Sequence, residues 1–157
     1  FVASDSATTG AKISIVGGAG ADVITGTSIG DVIDGGELAD TMTGGAGADI
    51  FTIDTDGVAT AAVADVVTDF SASAGDKLGF GGAAGSGANY KEGTTAVADY
   101  AAALAAANLQ LNATVIYSAQ QVGSDTYVFY GTAANSATEV VKLVGVALTD
   151  IDSAAIA

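Results

Sequence analysis

Residues 17–52 read GGAGADVIT GTSIGDVID GGELADTMT GGAGADIFT, four nine-residue blocks with no gap between them. Glycine opens every block (Gly17, Gly26, Gly35, Gly44), an aspartate stands sixth (Asp22, Asp31, Asp40, Asp49), and an apolar residue stands eighth (Ile24, Ile33, Met42, Phe51). Six glycine-rich positions ending in an acid suit a turn that needs positive φ and close backbone approach. The last three point outward, inward and outward, which is a short half-buried strand. Two blocks therefore make one flattened coil, with a strand on each side and a turn at each end. Residues two blocks apart stack between successive coils at about 4.8 Å. That puts Asp22 over Asp40 at one edge and Asp31 over Asp49 at the other. Ile24 and Met42 line one strand layer, Ile33 and Phe51 the other. The fold class is mainly β, a parallel β-roll.

Stacked carboxylates are the problem such a coil must solve. Two of them at that spacing repel by about 3 kcal/mol at an effective dielectric near 20. A cation between them removes the cost. Calcium takes six to eight oxygens at about 2.4 Å, backbone carbonyls included, and glycine turns expose many carbonyls. The candidate ligand set is Gly17, Gly18, Gly20, Asp22, Gly26, Asp31, Gly35, Gly36, Asp40, Gly44, Gly45, Gly47 and Asp49. Block two departs from the pattern with Thr27 and Ile29 in place of glycine, and block three with Leu38. A side chain at a left-handed position is costly, so the two middle turns are expected to be distorted or to hold calcium less completely.

After the repeats come Asp65-Val-Val-Thr-Asp69-Phe70 and Gly75-Asp76-Lys77-Leu78-Gly79-Phe80. The nonapeptide is similar to the calcium-binding repeat of RTX proteins. The run that follows resembles the end of the β-roll in the serralysin-type C-terminal domain of that family. The resemblance is specific over 11–80 and one of arrangement over 94–157. It implies that Asp65 caps the last open calcium site, with Asp56 a second candidate. For Asp69 and Asp76 the expected role is turn and N-cap hydrogen bonding. The segments DTYVF and VVKLVGV resemble, in composition, an uncleaved type I export signal. By that resemblance the chain is exported unfolded by type I secretion machinery and folds outside the cell, where calcium is abundant.

Composition narrows the function classes. With 18 acids, four lysines and no arginine, the formal net charge of −14 disfavours nucleic acid and anionic membranes, and destabilises a compact state unless cations bind. There is no cysteine and no histidine, which removes disulfides, thiolate metal sites, HExxH zinc chemistry and Ser-His-Asp triads from this chain. No apolar run approaches the ~20 residues of a membrane span, so membrane insertion is not expected. The chain opens at Phe1 without a signal-peptide pattern and reads as a piece of something longer.

Around the repeats, 11–16 alternate as a lead-in strand in which Ile13 takes the place of the acid and Ile15 continues the apolar ladder. The roll, with lead-in and closing strands, is assigned to 1–80, a glycine-rich loop to 81–93, and a cap and export module to 94–157. In the cap the pattern predicts a helix opening at Thr94 or Thr95 and running to about Ala107, with Val97, Tyr100 and Leu104 on one face. Strands are predicted over 113–118, 125–130 and 139–144, joined by hairpin loops.

The function these features favour is a structural, non-enzymatic module of an exported bacterial surface-layer protein, able to support self-assembly into a lattice. It would sit at the cell surface or outside the cell. The richness in alanine, threonine, valine and glycine suits such a parent. The rival class is the C-terminal RTX domain of a secreted protease or lipase, whose HExxH or GxSxG would lie upstream of Phe1.

Overall fold

The computed structural model describes residues 12–54, 59–62 and 64–157. The repeats coil as their spacing demands. Strands β1 (Ser14–Ala19), β3 (Val32–Glu37), β5 (Ile50–Thr52) and β7 (Lys77–Gly79) form one parallel four-stranded sheet. Strands β2 (Val23–Thr25), β4 (Thr41–Thr43) and β6 (Asp65–Val67) form the opposite parallel layer. Strands β2, β4, β5 and β7, three residues each, bury only their central residue, whereas β6 buries Asp65 and Val67 on either side of Val66. The core is therefore two facing ladders. Ile15, Ile33, Phe51 and Leu78 stack in register on one side, and Ile24, Met42 and Val67 on the other. None is more than 5% exposed. The apolar ladder positions favour this register, because a one-residue slip would turn every ladder side chain outward.

The second layer does not stop at the roll. β6 pairs in parallel with β11 (Glu139–Leu143), which pairs antiparallel with β10 (Asp125–Tyr130); β10 pairs antiparallel with β9 (Tyr117–Val122), and β9 pairs in parallel with β8 (Tyr90–Glu92). One seven-stranded sheet thus runs from the repeats into the cap, and one core cluster reaches from Ile15 to Ile156. Helix α1 (Tyr100–Gln110) lies on β9 and β10. It buries Ala103 and Ala107 in a smaller cluster with Phe129, Val140, Ala59 and Ala64. Tyr100 and Leu104 pack against that cluster from the helix, as their spacing predicts, and Val97 packs against it from the segment before the helix.

Several boundaries differ from the sequence reading. The helix begins later, because Asp99, not a threonine, is its N-cap: Asp99 Oδ1 accepts from the amide of Ala102. The residues before it are held to the sheet by a bridge from Val97 to Val122. The strand expected over 113–118 is displaced to Tyr117–Val122, since Asn112 Oδ1 accepts from the amides of Thr114 and Val115 and turns the chain there. The glycine-rich 81–93 segment contains strand β8, whose pairing to β9 no local pattern announced.

Candidate metal centre

The repeat turns meet at two edges, 17–22 with 35–40 and 26–31 with 44–49. Gly17, Gly18, Gly35 and Gly36 lie at the ends of β1 and β3, where pairing continues through Gly18 and Gly36. Gly20, Gly26, Gly44, Gly45 and Gly47 lie in the connecting turns.

The aspartates stack as the spacing requires, but carboxylate does not simply face carboxylate. Oδ1 of Asp40 accepts from the amide of Asp22 at 2.7 Å, and Oδ1 of Asp49 from the amide of Asp31 at 2.7 Å. The same bond repeats at both ends of the ladders. Asp31 receives the Ile13 amide at 2.9 Å, Asp65 the Asp40 amide at 3.0 Å, and Asp76 the Asp49 amide at 2.9 Å. Each coil is thus tied to the next by a charge-assisted hydrogen bond of the stronger kind. This offsets part of the repulsion expected between stacked acids.

The other oxygen explains the first glycine of each block. A Cβ on Gly17 or Gly26 would meet first the carbonyl oxygen of Gly35 or Gly44 in the next coil and then, at 2.9 Å, Oδ2 of Asp22 or Asp31, while at Gly35 and Gly44 the aspartate of the same block is the nearest obstacle. The carboxylate folds back over the start of its own turn, and only glycine leaves it space.

Asp65, expected to cap the last open site, takes the rung after Asp40 on the Asp22–Asp40 edge. Asp76 takes the place below Asp49, and its Oδ2 accepts from the amide of Ser71. Asp69 likewise exceeds a local turn role, since its two oxygens accept from the amides of Gly44 and Gly45 across the coils. Asp56 lies outside the described residues. Sequence spacing missed Asp76 because the repeat period had already ended. The only signal was the Gly-Asp-Lys-Leu order, which repeats the acid-before-apolar offset of the blocks.

The two middle turns do depart from the others. Leu38 sits at φ 75, in a place where Gly20 and Gly47 take φ 127 and φ 117. Thr27 avoids the left-handed conformation that Gly18, Gly36 and Gly45 adopt at the same block position.

On the 26–31 and 44–49 edge the oxygens are unevenly served. Both oxygens of Asp31, Asp69 and Asp76 receive hydrogen bonds. Asp49 is 1% exposed, and its Oδ2 is buried with no hydrogen-bond donor. Burial pushes its carboxyl from 3.8 up to about 6; the Asp31 amide works against this, and the charges of Asp76, Asp31 and Asp69 add to it. An uncompensated carboxylate oxygen in that position calls for a cation.

No protein-family model and no curated protein matches this chain. Among solved structures it is similar to the solution structure of the AlgE6R3 subunit from the Azotobacter vinelandii mannuronan C5-epimerase. The identity is 18%, over 96% of this chain and 81% of that one, with a TM-score of 0.48.

Among the described residues no three acids converge as a metal cluster. A cation at Asp49 would then draw most of its ligands from turn carbonyls and water. The donors on offer are all oxygens, which suits a hard cation and gives a soft metal nothing to prefer.

Proposed function

We propose that this chain is a calcium-stabilised structural module, a β-roll whose coils are locked by ions at the repeat turns and terminated by a β-rich cap. The observation that carries the reading is Asp49 Oδ2, buried without a donor between the carboxylates of Asp31 and Asp76. Calcium fits the residues present, because it accepts many oxygen ligands in irregular geometry, whereas magnesium demands a near-ideal octahedron and sheds water reluctantly. When bound, the ion supplies positive charge and coordination and nothing else. The chain's own carboxylates orient the turns, and its apolar ladders carry the fold between them.

The wider setting is part of the same proposal. The module belongs to an exported bacterial surface protein and has no catalytic role of its own. It is handled unfolded by type I secretion machinery, reaches calcium outside the cell, and supports self-assembly there. What favours this is the RTX-like repeat, the −14 charge and the absence of any histidine or cysteine.

Calcium titration of the chelator-treated chain tests the core of the reading, with amide exchange at Ile24, Ile33, Met42 and Phe51 as the signal. Protection at these ladder residues should rise with calcium and far less with magnesium. Full protection in chelator, unchanged by calcium, would show that the aspartates are turn formers only.

A further inference from the structure

We infer that Thr27 is a built-in substitute for a cation, so that the 26–31 turn holds itself together while the 44–49 turn on the same edge requires an ion. This rests on the calcium reading above. Its basis is the contrast between two aspartates in the same block position, one coil apart. Oδ2 of Asp49 has no donor. Oδ2 of Asp31 has two, the Thr27 amide at 2.7 Å and the Thr27 hydroxyl at 2.8 Å.

Two features make Thr27 able to do this. Its φ lies outside the left-handed region used by Gly18, Gly36 and Gly45, and in this turn the amide reaches the carboxylate of its own block. The hydroxyl has one proton and two acceptors in reach, Asp31 Oδ2 and, at 3.3 Å, the carbonyl of Ile29. The shorter bond to the charged oxygen is the stronger. The amide of Ile29 in turn points at the hydroxyl oxygen at 3.4 Å. The hydroxyl thus accepts from the turn and donates to the acid, so that Asp31 Oδ2 is supplied with donors from within its own turn. Thr27 and Ile29 together are a self-sufficient turn, not a damaged calcium repeat.

Equilibrium dialysis with calcium, comparing the wild-type chain with Thr27→Gly, tests this directly. Glycine removes the hydroxyl donor and allows the left-handed backbone that Gly45 adopts at the same block position, where the amide goes to Asp69 and not to Asp49 Oδ2; with the amide turned away in the same manner, the variant should bind one more calcium per chain. An unchanged count in a variant that folds in calcium would overturn the inference. A second pair covers the case in which Thr27→Gly fails to fold. In chelator, Thr27→Val should raise amide exchange across 27–33 by about tenfold or more, the loss of one hydrogen bond to a charged group, and Thr27→Ser should not. Valine behaving like wild type would also overturn it. Failure of the underlying calcium reading looks different, since wild type would then take up no calcium at all, and this inference would fall with it.

Discussion

The amide of Asp31 donates a 2.7 Å hydrogen bond to Oδ1 of Asp49, so the acid of one coil is held by the backbone beneath the acid of the previous coil. Oδ2 of Asp49 is left to face the neighbouring carboxylates without a donor. Asp49→Asn preserves the acceptor at Oδ1 and removes the charge. At a calcium concentration a hundred times its dissociation constant, one site adds about 2.7 kcal/mol to stability. The variant should lose an increment of that size while its stability in chelator does not fall. Denaturant unfolding with and without calcium measures both, and equal calcium increments in the two proteins would refute the assignment.

The same residue sets a pH response in the metal-free state. A carboxyl raised from 3.8 to about 6 by folding binds its proton more tightly in the folded chain than in the unfolded one. Its contribution is therefore fully present below about 4 and is lost as pH rises through 6. Asp34 shifts in the same direction, through burial and then the charge of Asp54. In the cap the sign reverses: hydrogen bonding to Lys142, 2.8 Å away, holds Asp125 below its ordinary value. That contribution is lost as pH falls through the lowered pKa. On acidification in chelator, residues 12–54 should gain protection against exchange relative to residues 117–143. A parallel loss in both regions would contradict the ladder electrostatics.

How far the sequence could be read follows from where periodicity ends. The Ile24–Met42 and Ile33–Phe51 pairs were legible because a strict spacing leaves only one register that buries both. The next rungs come after insertions of different length, 25 residues from Asp40 to Asp65 and 27 from Asp49 to Asp76. Counting on by the repeat period from Asp40 or Asp49 therefore reaches neither acid. In the cap, Tyr90–Glu92 is a strand because β9 offers it an edge, with no alternation of its own to show it. The unequal service of Asp31 and Asp49 was only half visible: Thr27 stood out as a missing glycine, but not as a donor to Asp31.

Leu38 offers a test of backbone strain in the roll. It holds φ 75 with its side chain about half exposed, so the conformation costs about 1–2 kcal/mol. Its packing returns little of that. Leu38→Gly should stabilise the chain by about 1 kcal/mol after glycine's extra unfolded-state entropy is deducted, which raises Tm by about 2–4 °C. The reciprocal change, Gly20→Leu, places a side chain at φ 127 with no atom within 4 Å of its Cβ, and should lower Tm through strain alone. Matching shifts of the same sign in the two variants would mean that the left-handed position is not the controlling factor.

The tail supplies the last rung of the roll. Leu78 ends the ladder that begins at Ile15, and its strand β7 has a free side that a sheet edge cannot safely leave open. Ile156 forms a parallel bridge to Leu78, the amide of Ala157 donates to the Leu78 carbonyl at 2.8 Å, and Ile156 is 3% exposed. Burial and edge pairing therefore act at one residue, and they can be separated by substitution. Ile156→Ala keeps the backbone bridge but empties the space beside Leu78, at a cost of about 2–5 kcal/mol. That is a large share of the 5–15 kcal/mol that holds a typical domain. Removing 153–157 takes the bridge away as well and exposes the β7 edge, so the shortened chain should be less stable still and should self-associate as its concentration rises. Denaturant midpoints and light scattering at two protein concentrations separate the two effects. A truncated chain that stays monomeric with a wild-type midpoint would show that β7 needs no cover and that the tail is only draped on the roll.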